Sequence, residues 1–483
     1  MIFSSIEFGI FFFITALVYF LVPANLKWAW LLVAGIFFYG YSNPAYVIIP
    51  IIIIFIAWYG GIKIETTVSP KNANQYYIAS IVAITGMLVF FKYTNFFSAT
   101  ITDLINFGSK KILSNANTIQ NNLVLKLAAP LGISYITFQA IGYLIEIKRG
   151  NQSAEKHLGH FATYIFFFPK IIAGPVERAH HFLPQLKKIS SFKYENLTAG
   201  LQLALWGLFK KIVIADRLAI YINAVFNNYE HHSGITLFVA SFFYIFQMYA
   251  DFSGYTDMAL GFAKVLGFDI IQNFNRPLFA KSVTEFWRKW HISLSTWFND
   301  YFYTPISIAK RDWGKWAMVY AFFITFITLG FWHGANWTFI VFGLLQGLIL
   351  TIEFFTRKQR KKIRKKVPVF INDLSGNLFT VFYFGLSLIF FRADSVRDAL
   401  SIIRKIISLH GPFYYDSLST FLFILAGIFY LLIYEVKKEY FNNWFTFSKN
   451  RFWLIRNIYY CLLIIIILST AVFDGGEFIY FQF

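Results

Sequence analysis

The chain has 483 residues, of which 57% are hydrophobic and only 14% charged. Soluble domains carry about 25% charged residues, so there are too few polar side chains here to coat several water-exposed globules, and far too much apolar surface for disorder. The 43 basic against 24 acidic side chains, a net +19, fit Lys and Arg gathered in cytoplasmic loops by the positive-inside rule, and not a nucleic-acid surface.

Phe8–Val22 is apolar, with no positive stretch before it and no small-residue cleavage site after it. It is therefore expected to be a retained first membrane helix and not a signal peptide. Apolar runs recur at Trp28–Tyr41, Ala45–Gly61, Tyr77–Phe91, Leu127–Ile145, Phe161–Ala173, Ala199–Leu208, Gly234–Ala250, Trp316–Trp332, Trp337–Ile352, Leu378–Phe391, Phe421–Tyr434 and Ile458–Phe473. A full span needs about 20 residues, so the shorter runs are expected to be tilted, re-entrant or buried in protein. The expectation is an all-α polytopic bundle of about 11 to 13 transmembrane helices with short re-entrant or interfacial helices. It would form one integral-membrane domain over residues 1–483, richest in motifs between 130 and 395. No internal repeat is evident, which weighs against many secondary transporters. Gly343 and Gly347 lie on one helix face and would allow close helix packing.

Two basic clusters fix a topology. Lys310, Arg311 and Lys315 precede the run Trp316–Trp332, and a dense run from Arg357 to Lys366 follows Trp337–Ile352. Both ends of this hairpin are expected in the cytoplasm. The second cluster reads as a topological anchor, with an anionic-lipid contact as the sharper alternative. The tip, Trp332-His333-Gly334-Ala335-Asn336-Trp337, then faces outward. An arm of 17 residues is roughly 25 Å long as a helix, which leaves the tip within the depth of the membrane.

Ionisable groups at membrane depth are costly, and each is a candidate for function. Of nine histidines, His157, His160, His180, His181, His231, His232 and His410 fall in loops or at the ends of runs. His333 occupies the hairpin tip, and His291 lies in the tryptophan-rich segment Phe286–Ser295; these two are the catalytic candidates. Ser295 follows His291 by four, on one face of a helix, so a Ser–His pair is conceivable. Asp251, Asp257, Glu285 and Asp300 flank these segments, and buried carboxylates there need partners. With a lone Cys461 and no His-Glu-x-x-His, neither a disulfide nor a metal centre is expected. Glycine-framed serine elbows and phosphate-cradling loops are also missing.

Six ordered blocks resemble the membrane-bound O-acyltransferase family, in its alginate O-acetyltransferase-like branch. They are Pro130–Gly150, Phe167–Leu186, Tyr249–Gly261, Asn273–Ile306, Gly330–Phe339 and Phe390–Ser395. The resemblance places the family's signature histidine at His333, within Trp-His-Gly, and the second functional histidine of this branch at His291. Asn299 stands before Asp300 where the branch usually has arginine, and Tyr303-Thr304-Pro305-Ile306-Ser307 lacks its glycine pair.

The resemblance implies acyl transfer from a cytoplasmic thioester, most simply acetyl-CoA, to a hydroxyl reached from outside. No permanently bound cofactor is implied. A bacterial inner-membrane location is implied, as are a polysaccharide acceptor and an extracytoplasmic serine-hydrolase-like partner that passes the acetyl group on. Nucleic acid is not an expected partner; membrane lipids are. His333 would act as general base, and His291 would orient the acceptor, support His333 or polarise the carbonyl. Arg288, Lys289, Lys310 and Arg311 are expected to serve topology by the positive-inside rule, with contact to the CoA phosphates as the alternative. D-alanyl or other acyl transfer, a transporter and a non-catalytic scaffold are the competing readings.

Overall fold

The computed structural model describes residues 1–112, 130–172, 174–188, 191–415, 417–441 and 452–473. Leu127–Ala129, where one apolar run begins, and Ala173, where another ends, lie outside the described residues. Within the described residues every regular element is helical. Nine of these helices are long and apolar enough to cross a membrane, so the protein is an all-α polytopic membrane protein.

Contacts divide the chain into two compact units, Ile14–Ser191 with Met1, and Phe192–Phe483 with Ile2–Phe13. The helices before residue 191 are α1 (Ile6–Leu21), α2 (Lys27–Gly40), α3 (Ile48–Thr66), α4 (Pro70–Ile112), α5 (Ile133–Lys148), α6 (Leu158–Phe166), α7 (Phe168–Ile171) and α8 (Ala179–Lys187). The run from Phe161 is not one span. It breaks at Phe167, whose backbone is extended, because Pro169 enters the first turn of α7. All four residues of α7 are buried, as short backbone segments away from water and lipid must be. Lys170 of α7 is covered completely. Its ammonium donates to Gln139 Oε1 at 2.9 Å and lies 3.7 Å from the centre of the Tyr164 ring.

The second unit carries α9 (Tyr194–Leu208), α10 (Asp216–Phe226), α11 (Gly234–Val265), α12 (Val283–Lys289), α13 (Ile292–Phe298), α14 (Thr304–Ala309), α15 (Lys315–His333), α16 (Trp337–Arg364), α17 (Val369–Arg392), α18 (Val396–Ser408), α19 (Leu418–Tyr440) and α20 (Trp453–Thr470). A π-helical stretch, Phe209–Ala215, joins α9 and α10 into one 33-residue rod. α11 is 78% buried over its most apolar window, so other helices surround it. The α15–α16 hairpin closes tightly: a Cβ on Gly343 would come within 2.2 Å of the Phe326 carbonyl oxygen, and one on Gly347 within 3.1 Å of the Phe323 ring. Glycine is therefore used at this pair to let two helices approach, as its spacing suggests.

Candidate active site

His291 sits at a corner that sequence and contacts build together. α12 starts on a cap, with Ser282 Oγ accepting from Glu285 N at 3.1 Å, and ends at extended Trp290. His291 itself is left-handed, φ +45° and ψ +53°. That conformation costs a residue bearing a Cβ of order 1 kcal/mol, and persists where surrounding bonds over-determine it. The segment beginning at Asn273 supplies those bonds. Ile292 N donates to Asn273 O and Asn275 N to Lys289 O, both at 2.9 Å. Asn273 Oδ1 accepts from Ser293 N at 3.2 Å and Ser293 Oγ at 2.8 Å, and lies 3.1 Å from His291 Nδ1. The His291 ring is 1% exposed, with the Phe252 ring perpendicular to it at 4.7 Å. Burial pushes its imidazole down to about 3, so it is neutral at ordinary pH.

His333 is the last residue of α15. The chain then turns through extended Gly334 and enters α16 on Asn336, whose Oδ1 accepts from Thr338 N at 3.1 Å. Glycine is required at 334, since a Cβ there would fall 2.1 Å from the Phe339 ring. The tip is therefore recessed: His333 is 6% exposed, between Trp332 at 4.9 Å and Phe391 of α17 at 5.2 Å. The His291 ring lies 6.4 Å from that same Trp332. Residues 42 positions apart thus converge on one indole.

Polar side chains buried in the bundle lock these elements together. Trp287 Nε1 donates to Gln346 Oε1 at 3.2 Å, and Gln346 Nε2 to Ser387 Oγ at 2.9 Å, tying α12 to α16 and α17. The Glu353 carboxylate accepts from Val283 N at 2.9 Å, Thr284 N at 3.0 Å and Thr284 Oγ1 at 2.6 Å. It thereby satisfies amides at the start of α12 that have no partner within the helix.

Beside this frame lies a cavity of about 920 Å³. Along α15 its wall is Met318, Phe322, Thr325, Phe326 and Leu329, one face of the helix that ends at His333. Along α16 its wall passes from Leu350 through Glu353 to Arg357, Arg360 and Arg364, with Arg288 contributed by α12. Arg360 is 3.6 Å from Glu353 and Arg364 2.8 Å from Asp373. Arg288 and Arg357 form no ion pair among the described residues. The cavity is thus basic at one end, while toward the other Phe322, Phe326 and Leu329 line it together with Thr325, Ser295 and Thr296; Leu329 lies one helical turn before His333, which is not itself in the lining.

The other candidates resolve into structure. Asp251 pairs with Lys211 at 2.7 Å and Asp257 with Lys210 at 2.8 Å, across the π-helical stretch. Glu285 pairs with Lys289 at 2.9 Å. Asp300 Oδ1 accepts from Asn299 at 3.2 Å. Ser295 Oγ donates to Trp290 O at 3.1 Å; it is Ser293 that shares a partner with His291. Of the four basic residues for which CoA-phosphate contact is the alternative reading, only Arg288 lines the cavity. Lys289 is held by Glu285 and Glu439, and Lys310 lies over the Trp313 ring at 4.9 Å. Sequence reading missed Asn273, Gln346, Glu353 and the Lys210–Lys211 pair. The available signal was polar residues inside or beside apolar runs.

Residues 148–391 match the model of MBOAT, the membrane-bound O-acyltransferase family. The chain is 32% identical to the peptidoglycan O-acetyltransferase of Helicobacter pylori over 411 residues, 79% of this chain and 74% of that one. It is 31% identical to the "Probable alginate O-acetylase AlgI" of Pseudomonas aeruginosa over 78% of this chain and 69% of that one. The teichoic acid D-alanyltransferase of Bacillus subtilis is 30% identical over 48% of this chain and 61% of its own length.

Proposed function

This chain belongs to the membrane-bound O-acyltransferase family and is an O-acyltransferase, and from that premise we propose that it moves an acetyl group from cytoplasmic acetyl-CoA to a hydroxyl outside the bacterial cytoplasmic membrane. The hydroxyl belongs to a cell-envelope polysaccharide or to an extracytoplasmic partner protein that passes the acetyl group on. The observation that carries this reading is the cavity of about 920 Å³, with Arg288, Arg357, Arg360 and Arg364 at one end and the α15 face leading to His333 at the other.

The chemistry follows from that arrangement. Phosphates of the donor meet guanidinium groups, which bind them through charge-assisted forks. The apolar walls take the uncharged arm that ends in the thioester. The neutral imidazole of His333 accepts the proton of the incoming hydroxyl as its oxygen attacks the thioester carbonyl. The carbon–sulfur bond breaks, and the proton passes to the departing thiolate, leaving an ester and free CoA. General-base help of this kind is worth about 10² to 10⁴ in rate. A donor confined to one side and an acceptor confined to the other can react at such a recessed histidine without either crossing the membrane. Relatives named for peptidoglycan and alginate acetylation support a polymer acceptor. A partner is supported by the described residues, which are helices and short connections with no separate soluble domain to hold a polymer.

The test is the purified protein in proteoliposomes, supplied with acetyl-labelled CoA and a polysaccharide or partner acceptor. Label is expected in a base-labile ester on the acceptor. Transfer of D-alanine from a carrier thioester, with none from acetyl-CoA, would replace this reading with the D-alanyl one.

A further inference from the structure

We propose that Asn273 is the positioning residue that fixes the role of His291: it holds the imidazole proton on Nδ1, so that Nε2 presents a lone pair and His291 orients the acceptor by accepting a hydrogen bond from a hydroxyl other than the one His333 deprotonates, instead of donating one to the thioester carbonyl.

The argument starts from Ser293. An asparagine side chain ends in one oxygen and one nitrogen, and its neighbours decide which is which. A backbone N–H can only donate. Ser293 N lies 3.2 Å from the Asn273 atom in question, so that atom is the oxygen; Ser293 Oγ donates to it as well, at 2.8 Å. The opposite orientation would set two N–H groups against each other. The same oxygen lies 3.1 Å from His291 Nδ1. An amide oxygen has no proton to give, so Nδ1 carries the hydrogen. A neutral imidazole has one N–H and one lone pair; the lone pair is then on Nε2. The doubly protonated ring is disfavoured where this one sits, 1% exposed and packed against the rings of Phe252 and Trp332.

Three donors converging on one carbonyl oxygen leave the ring little freedom to turn over. The backbone reinforces this. Ile292 N bonds to Asn273 O, and the left-handed corner at His291 is held from the same side chain and main chain. A second residue thus decides which ring nitrogen carries the proton, as partners of metal-bound histidines do. Of the roles open to His291, polarising the carbonyl needs an N–H at Nε2, and Asn273 removes it. The acceptor role rests on the acyl-transfer reading; the position of the proton does not.

The experiment separates the two. Protein labelled with ¹⁵N-histidine in nanodiscs reports which ring nitrogen is protonated, with the His291 signals identified by their loss in His291→Gln. Wild type is expected to show Nδ1 protonated and Nε2 bare. Asn273→Asp keeps an oxygen acceptor and is expected to keep this tautomer and most of the activity. Asn273→Ala removes the acceptor: the Nε2–H form is expected to appear, and kcat to fall about 10- to 100-fold with KM for acetyl-CoA unchanged. A wild-type spectrum with the proton on Nε2 overturns the proposal, as does an Asn273→Ala enzyme with wild-type kcat. The expected tautomer in a protein that moves no acetyl group from acetyl-CoA would uphold the positioning by Asn273 and overturn the acyl-transfer reading.

Discussion

Arg288 and Arg357 come from different helices, line the basic end of the cavity and take part in no ion pair among the described residues. Replacing either with glutamine therefore leaves no carboxylate orphaned, unlike Arg360 or Arg364, which answer Glu353 and Asp373. A hydrogen bond to a charged group contributes about 1.5–3 kcal/mol. Both side chains are exposed, so solvent screening brings each donor contact down to about 0.2–1 kcal/mol. The expected effect is a rise of about 1.5- to 5-fold in KM for acetyl-CoA for each variant. If the two arginines meet separate phosphates from their separate helices, the double variant should rise roughly 2- to 25-fold. Saturating kcat should stay within about twofold, since the reacting end of the cavity is untouched. The control is acetyl-pantetheine, which has the same thioester and arm but lacks the nucleotide phosphates. Initial rates with both donors, measured at two salt concentrations, decide the matter. Variants that leave KM for acetyl-CoA unchanged, or raise it equally for acetyl-pantetheine, would refute the assignment of this end to the donor's phosphates.

If His291 and His333 form one catalytic unit around Trp332, the His291→Ala/His333→Ala enzyme should be about as inactive as His333→Ala alone; additive losses measured in nanodiscs would separate them. An active His291→Ala enzyme, within about threefold of wild type, or roughly 0.7 kcal/mol, would return His291 to a structural role. Cysteines placed singly at Lys315 and Gln359, in a Cys461→Ser background, should resist an impermeant thiol reagent in intact cells; labelling of either from outside would reverse the hairpin. Gly343→Leu should lower thermal stability by several kcal/mol and separate α15 from α16, since the added Cβ alone meets the Phe326 carbonyl at 2.2 Å; an unchanged melting profile would show that this close approach is not needed.

Much of the frame was legible because its signals are local. The length of an apolar run reports a span, and the Gly343–Gly347 spacing reports a close helix contact that the structure contains. His333 could be singled out because basic clusters on both sides of a hairpin place its tip, and a short arm recesses it. The run from Phe161 looked continuous, yet Pro169 divides it, a break that hydropathy averages away. The basic residues of the cavity were only partly found. The run from Arg357 to Lys366 was legible as a topological anchor, but its Arg357, Arg360 and Arg364 also share a helix face on the cavity, which depends on where α12 and α15 pack. Asn273 was illegible for the same reason. Its meaning comes from three donors contributed by residues 18 and 20 positions later, and an asparagine in a loop carries no sign of that. The buried Lys210–Asp257 and Lys211–Asp251 pairs likewise depend on packing of α11 against the π-helical stretch.

The central claim is that His333, recessed beside Trp332 and Phe391 one helical turn beyond Leu329 of the cavity wall, is the base through which an acetyl group reaches an acceptor outside the membrane. It is tested most directly by the acetyl-ester content of the cell-envelope polysaccharide in cells carrying His333→Ala in place of the wild-type protein, with membrane levels of the two proteins matched. The account predicts that these esters fall to the level of cells lacking the protein. Wild-type ester content with His333→Ala as the sole copy would contradict it.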